Sequence, residues 1–159
     1  MITIARIDER LIHGQVAYAW TVMYKSQAIM VIDDEAVSDP IQKALLELAC
    51  PRGTKCFVVS KEMAVELLKK YETKKIFIVV KSPDPLLYLI ENGIELNTVN
   101  VGGIYFKDGR RQLAKTVYVD DQMVESFKKL DSHGVVLEIR TTPADASQNL
   151  MKLIQTKGE

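Results

Sequence analysis

The chain has 159 residues, 47% hydrophobic and 26% charged, and its 21 basic residues balance 21 acidic ones. That length buries one continuous core without disulfide or metal staples, so a single domain over residues 1–159 is expected. Without a net charge there is no broad field for nucleic acid or an acidic membrane surface, and no nucleic-acid partner is expected.

Residues 2–7 are a short β-rich run, and residues 15–24 carry Val16, Ala17, Ala19, Trp20, Val22 and Met23 around most of a helix, so a strand leads into a buried helix. A second strand is predicted over residues 28–32, with Asp33, Asp34 and Glu35 marking its exit. Ser38, Asp39 and Pro40 supply capping and first-turn chemistry for a helix with Ile41, Leu45, Leu46 and Leu48 at helical spacing, which Pro51 and Gly53 stop. Residues 56–59 read as a third strand, Ser60 as an N-cap, and Met63, Ala64, Leu67 and Leu68 as one apolar helix face. Residues 76–80 form a fourth strand; Ser82 and Pro83 open a helix lined by Leu86, Leu87, Leu89 and Ile90, which Asn92 and Gly93 end.

A fifth strand at residues 98–101 closes on Gly102 and Gly103, and residues 104–111 are irregular, with Lys107, Asp108 and Gly109 as turn residues. A sixth strand is predicted at residues 115–119, joined to the fifth without a helix, so one edge of the sheet can run against the rest. Asp120 or Asp121 caps a helix to about Ser132, a seventh strand follows at residues 135–139, and a last helix is predicted from Pro143 to Ile154. Seven strands interleaved with six helices predict an α/β fold: an open, mostly parallel seven-stranded sheet with helices on both faces. In such sheets functional groups gather beyond the carboxyl ends of the strands, where residues 8–13, 33–35 and 102–103 fall.

The stretch Arg-Ile-Asp-Glu-Arg-Leu-Ile-His-Gly-Gln-Val, residues 6–16, places His13 between a buried strand and a buried helix. An imidazole at a helix N-terminus beside the guanidinium of Arg10 is an arrangement for receiving an anion, a phosphoryl group above all. A neutral imidazole nitrogen is a nucleophile near neutral pH, and its phosphoramidate can hand the group on. The backbone amides around Gly14 and Gln15 supply phosphate donors, Gly14 permits close approach, and Arg10 adds a planar donor fork. Asp8 is placed to orient Arg10 or the imidazole, and Glu9 to solvate the loop. The plain alternative is a hydrogen-bonded histidine finishing a helix start.

These residues resemble the signature of the IIB component of the mannose/fructose/sorbose class of the bacterial sugar phosphotransferase system, with further resemblance in residues 31–35 and 100–103 and in overall length and strand order. The resemblance implies that His13 accepts a phosphoryl group from a phosphohistidine on a IIA component and passes it to a sugar carried by membrane IIC and IID components. It implies that Arg10 stabilises the group in transit and that the protein works at the inner face of the membrane through IIC and IID. At Asp33 the family often carries Asn.

Other features receive plainer readings. The chain start meets Arg6 and Asp8 before any apolar signal segment, and the uncharged run 11–24 is too short to cross a bilayer, so a cytoplasmic protein is expected. Cys50 and Cys56 fit neither a redox pair nor a disulfide framework, and His133 reads as a helix C-terminal donor. Asp33, Asp34 and Glu35 read as a solvated strand exit in preference to a magnesium site, and no metal or other cofactor is expected. Gly102 and Gly103 allow either close backbone approach or a tight turn. Lys107, Arg110 and Arg111 read as a solvated basic loop in preference to a dock for an acidic partner. The nucleotide-cradling glycine motifs are absent, which argues against ATP as the donor. Two other functions remain open: a receiver-like or phosphate-binding signalling module, and an oligomeric scaffold with an inert His13. Against the receiver, the third strand runs into Ser60 and Lys61 where an acceptor aspartate is needed.

Overall fold

The computed structural model describes residues 1–157. Strand β1 (Ile2–Asp8) passes through a loop to helix α1 (Gly14–Tyr24), followed by β2 (Ala28–Ile32), the short helix α2 (Asp34–Ser38) and α3 (Pro40–Ala49). The alternation continues through β3 (Lys55–Val59), α4 (Lys61–Lys70), β4 (Ile76–Val80), α5 (Asp84–Glu91) and β5 (Thr98–Gly103). A hairpin of β6 (Arg111–Ala114) and β7 (Val117–Val119) precedes α6 (Asp121–Ser132), β8 (Val136–Ile139), β9 (Gln148–Asn149) and α7 (Leu150–Lys157). Seven strands form one sheet in the order β3-β2-β4-β1-β5-β8-β9, parallel throughout except for β9.

The sequences explain the positions. β2 and β4 have no polar face and are buried along their whole length, as strands covered on both sides must be. Alternation within β1 divides two cores: Ala5 and Ile7 face the layer of α4, α5, α6 and α7, while Ile4 faces α1, α2 and α3. The anticipated caps form. Asp39 accepts from the amides of Ile41 and Gln42, Ser60 from Met63 at 3.2 Å, and Asp120 from Met123 at 2.8 Å. Because α1 leaves β1 toward one face while α5 leaves β4 toward the other, the chain diverges beside β1 and opens a crevice at its carboxyl end.

One local expectation is extended and two are corrected. Asp34 and Glu35 are exposed, as expected of a solvated strand exit, but they also begin α2, and Asp34 spans to the start of α4, accepting from the Lys61 backbone amide (3.1 Å) and ammonium (2.9 Å). The sixth strand does not join the sheet. β5 already has β1 on one side and β8 on the other, so β7 pairs with β6 in a separate hairpin, linked to the sheet end by one bridge between Ile104 and Val117. The last helix starts at Leu150, not Pro143, because residues 144–148 offer no apolar stripe to bury. Part of that stretch becomes β9, and the antiparallel edge lies there, against β8.

Candidate functional site

Between β1 and α1 the chain turns on a Leu11 amide donating to the Asp8 carbonyl at 2.9 Å. Leu11 adopts φ +60°, a left-handed conformation uncommon for a leucine, and it is held there because Leu11 and Ile12 are both plugged into the core beneath α1. With those two side chains inward, Arg10 and His13 are turned outward, 49% and 24% exposed at the side chain. His13 is the extended N-cap residue of α1, its side chain does not cap the helix, and the first turn carries no acid. The amides of Gly14, Gln15 and Val16 are thus left for another acceptor, at the positive end of the helix dipole. Gly14 has φ +46°, and the space where a Cβ would point is open.

Behind the loop lies a buried charge network. Ile4, Arg6 and Asp8 alternate onto the α1 face of β1, which puts a guanidinium and a carboxylate into the core, 2% and 0% exposed. Asp8 is the hub. Its Oδ2 meets Arg6 Nη2 at 3.2 Å and His13 Nε2 at 3.0 Å, and its Oδ1 accepts from the Arg10 amide at 3.0 Å and from Arg10 Nε at 3.4 Å. Burial alone raises the affinity of the Asp8 carboxyl for a proton, but the bonds from His13 and the Arg10 amide and the charge of Arg6 outweigh it, so its pKa lies below the ordinary value. An ionised carboxylate only accepts, so His13 Nε2 is the donor, and in the neutral imidazole Nδ1 keeps the lone pair. Nδ1 has no hydrogen-bond partner among the described residues.

Arg6 is held from every side. Asn100, its register partner on β5, accepts from Nη1, as does the Arg140 carbonyl at 3.1 Å, and the guanidinium lies 5.3 Å from the centre of the Trp20 ring. Arg140 lies 5.1 Å from the same ring, so two cations approach the indole. A Cβ on Gly102 would overlap the Arg6 guanidinium, which decides between the two readings of that glycine in favour of close approach. Burial lowers the pKa of Arg6 against the pull of Asp8, and the group stays cationic.

On the open side, Glu9 ties the 104–110 loop to the β1 exit. It accepts from the Tyr105 amide at 2.7 Å and forms a two-pronged pair with Arg110 at 3.0 and 3.1 Å, while Arg110 also donates to the Tyr105 carbonyl at 2.7 Å. Burial pushes the Glu9 pKa upward, but Arg110, the Tyr105 amide and Lys107 bring it below the ordinary value. The Tyr105 ring lies 5.1 Å from the Arg10 guanidinium. Gly103 leaves the room its phenol occupies.

The structure therefore brings together Asp8, Arg10, His13, Gly14 and Gln15. It adds Arg6, Trp20, Asn100, Tyr105, Arg110 and Arg140, which motif reading did not assign. Arg6 carried a signal, since a charge midway along a buried strand demands a partner. The basic loop is corrected at Arg110, which is 8% exposed and clamps Glu9; Lys107 is solvated as expected, 68% exposed, and Arg111 pairs at the surface with Asp121 at 2.8 Å. Asp33 lies at the end of β2 outside the His13 network, in an ion pair with Lys81 at 3.1 Å that lacks hydrogen-bond geometry. His133 stands at the C-terminal cap of α6, as expected, but the donor there is its backbone amide and not its side chain.

A mostly parallel sheet whose divergence-point loop presents a carboxylate-oriented imidazole at an uncapped helix start defines the molecule as an α/β protein of open-sheet type. The family model described as "PTS system sorbose subfamily IIB component" matches residues 2–159, and the chain belongs to that family. It is 37% identical over 155 residues to the sorbose-specific EIIB component of Klebsiella pneumoniae, covering 96% of this chain and 94% of that one. It is 38% identical over 156 residues to the mannose-specific EIIAB component of Escherichia coli K12, covering 97% of this chain and 48% of that longer protein. The crystal structure of the IIBSor domain of the K. pneumoniae sorbose permease superposes with a TM-score of 0.95 at 36% identity, over 99% of this chain and 98% of that one. The chain is thus a component of a sugar phosphotransferase system and a transferase by class. Among the described residues no helix is long and apolar enough to cross a membrane.

Proposed function

We propose that this chain is a single-domain IIB phosphoryl carrier that accepts a phosphoryl group on His13 from a phosphorylated IIA protein and passes it to a sugar held by membrane IIC and IID proteins. The observation that carries the proposal is the Asp8–His13 pair: a carboxylate fixed on Nε2 at 3.0 Å leaves Nδ1 as the nucleophile. As the Nδ1 lone pair attacks phosphorus, the donor's P–N bond breaks and its electrons return to the donor imidazole. The His13 ring gains positive charge, which the Asp8 carboxylate stabilises through Nε2–H. The amides of Gly14 and Gln15 receive the phosphoryl oxygens, and the exposed Arg10 neutralises charge on the group in flight. In the onward step a sugar hydroxyl oxygen attacks phosphorus, the P–N bond to His13 breaks and returns its electron pair to Nδ1, and the hydroxyl proton is released to solvent.

The relatives support the partners. In the mannose-specific EIIAB component of E. coli the two functions named in its description share one chain, so a IIA protein is the natural donor here. The role places the protein in the cytoplasm, at the inner face of the membrane when it engages IIC and IID. The test is incubation with phosphoenolpyruvate, the general phosphotransferase components and a IIA protein, with radiolabelled phosphorus. The wild type takes label that is lost in acid and survives alkali, and His13→Ala takes none. Label retained by His13→Ala, or no label on the wild type, rejects the carrier role.

A further inference from the structure

We propose that Tyr105 is a positioning residue for phosphoryl transfer, whose ring face presents the Arg10 guanidinium to the group on His13. The inference rests on the carrier reading of His13 and adds a residue that lies far from the β1–α1 loop in sequence. Arg10 needs such a support. Its side chain is half exposed, and its only side-chain hydrogen bond among the described residues is the long 3.4 Å contact from Nε to Asp8. That single contact leaves the planar fork free to pivot as a unit about Nε and the stem free to change rotamer. The Tyr105 ring, 5.1 Å from Cζ, supplies the surface on which the fork lies.

Tyr105 is itself fixed at both backbone groups. Its amide donates to Glu9 Oε1 at 2.7 Å and its carbonyl accepts from Arg110 at 2.7 Å, with Glu9 and Arg110 locked to each other. At its hydroxyl end the ring is seated by Gly103: a Cβ there would overlap the phenol and lie 3.1 Å from Asp8 Oδ1. The ring that carries Arg10 therefore packs against the same glycine as the carboxylate that orients His13. Burial first, and then the charge of Asp8, raises the pKa of the phenol, so the ring faces Arg10 as a neutral aromatic surface. Two charged groups of one short loop are thus referenced to one rigid outer wall, made of Gly103, Tyr105 and the Glu9–Arg110 clamp.

A double-mutant cycle in the full chain tests this, read as the initial rate of label uptake from phosphorylated IIA. Tyr105→Leu slows uptake about 10- to 100-fold, the range expected when a reacting charge is displaced by roughly 1 Å. Tyr105→Phe, which restores the ring without the hydroxyl, recovers most of that loss. In an Arg10→Ala background Tyr105→Leu changes the rate less than about twofold, because the group it positions is gone. The assignment is overturned if Tyr105→Leu matches the wild type, if Tyr105→Phe is as slow as Tyr105→Leu, or if the two losses add. Should Tyr105→Leu fail to fold, Tyr105→Met is read in the same way. If the wild type itself takes no label on His13, the carrier reading falls and this inference with it; label on wild-type His13 with additive losses removes Tyr105 alone.

Discussion

Asp8→Asn removes one negative charge from the centre of the network and almost no volume, so it separates electrostatics from packing. Asp8 is 0% exposed and faces Arg6, 2% exposed, at 3.2 Å, which makes this a buried pair. Removing one partner of such a pair costs about 3–5 kcal/mol, because the surviving charge stays buried without compensation. Arg6 keeps Asn100, the Arg140 carbonyl and the Trp20 face, which places the loss near the lower end, about 3 kcal/mol. At about 2–4 °C per kcal/mol for a chain of this size, the thermal midpoint falls by about 6–12 °C. The loss depends on pH with a defined sign. The folded-state pKa of Asp8 is depressed, so its contribution is fully present above the ordinary carboxylate range and fades as pH falls through the folded value. The gap between wild type and variant is widest near neutrality and closes in acid. Thermal unfolding followed by circular dichroism at pH 7 and in steps down to pH 3 measures both effects. A midpoint within about 2 °C of wild type at pH 7, or a gap that widens in acid, refutes the reasoning.

Arg10→Ala separates transfer from stability: the side chain is half exposed, so unfolding changes by no more than about 1 kcal/mol. Its label-uptake rate falls about 10²- to 10³-fold, and an unchanged rate rejects its role. Gly102→Ala forces a Cβ into the Arg6 guanidinium and lowers stability by at least about 3 kcal/mol in urea unfolding; a loss below about 1 kcal/mol shows that Arg6 can move aside. Glu9→Gln weakens the clamp on the 104–110 loop, so hydrogen exchange at the Tyr105 amide accelerates while exchange in β2 and β4 is unchanged; equal protection in both proteins contradicts the clamp.

The legible parts of the fold were those decided by local chemistry. β2 and β4 announced themselves because no residue in either had to face water, and α3, α4 and α6 because Asp39, Ser60 and Asp120 cap within three residues of themselves. The hairpin and β9 were decided by which sheet edges were free, a global property that no window of sequence contains. Pro143 has the chemistry of a helix start, but the residues after it have nothing to bury, and the helix waits for Leu150. The site divides in the same way. Asp8, Arg10, His13 and Gly14 lie within one turn, so their spacing is their geometry. Asn100 and Arg140 reach Arg6 only through the parallel order β1-β5-β8, and Tyr105 and Arg110 reach Glu9 across about a hundred residues, so their roles had to be seen in space. Glu9, read from sequence as a solvating group, proved to be half of a largely buried ion pair.

In the proposed transfer Asp8 holds Nε2 of His13 and thereby makes Nδ1 the phosphoryl acceptor. Phosphorylated protein labelled with ¹⁵N in its histidine rings, observed by ¹⁵N–³¹P correlation in alkaline buffer, reads the attachment atom directly. The expected spectrum shows phosphorus bonded to Nδ1 of His13, with Nε2 still protonated; phosphorus on Nε2, or on any residue other than His13, overturns the carboxylate's assigned role.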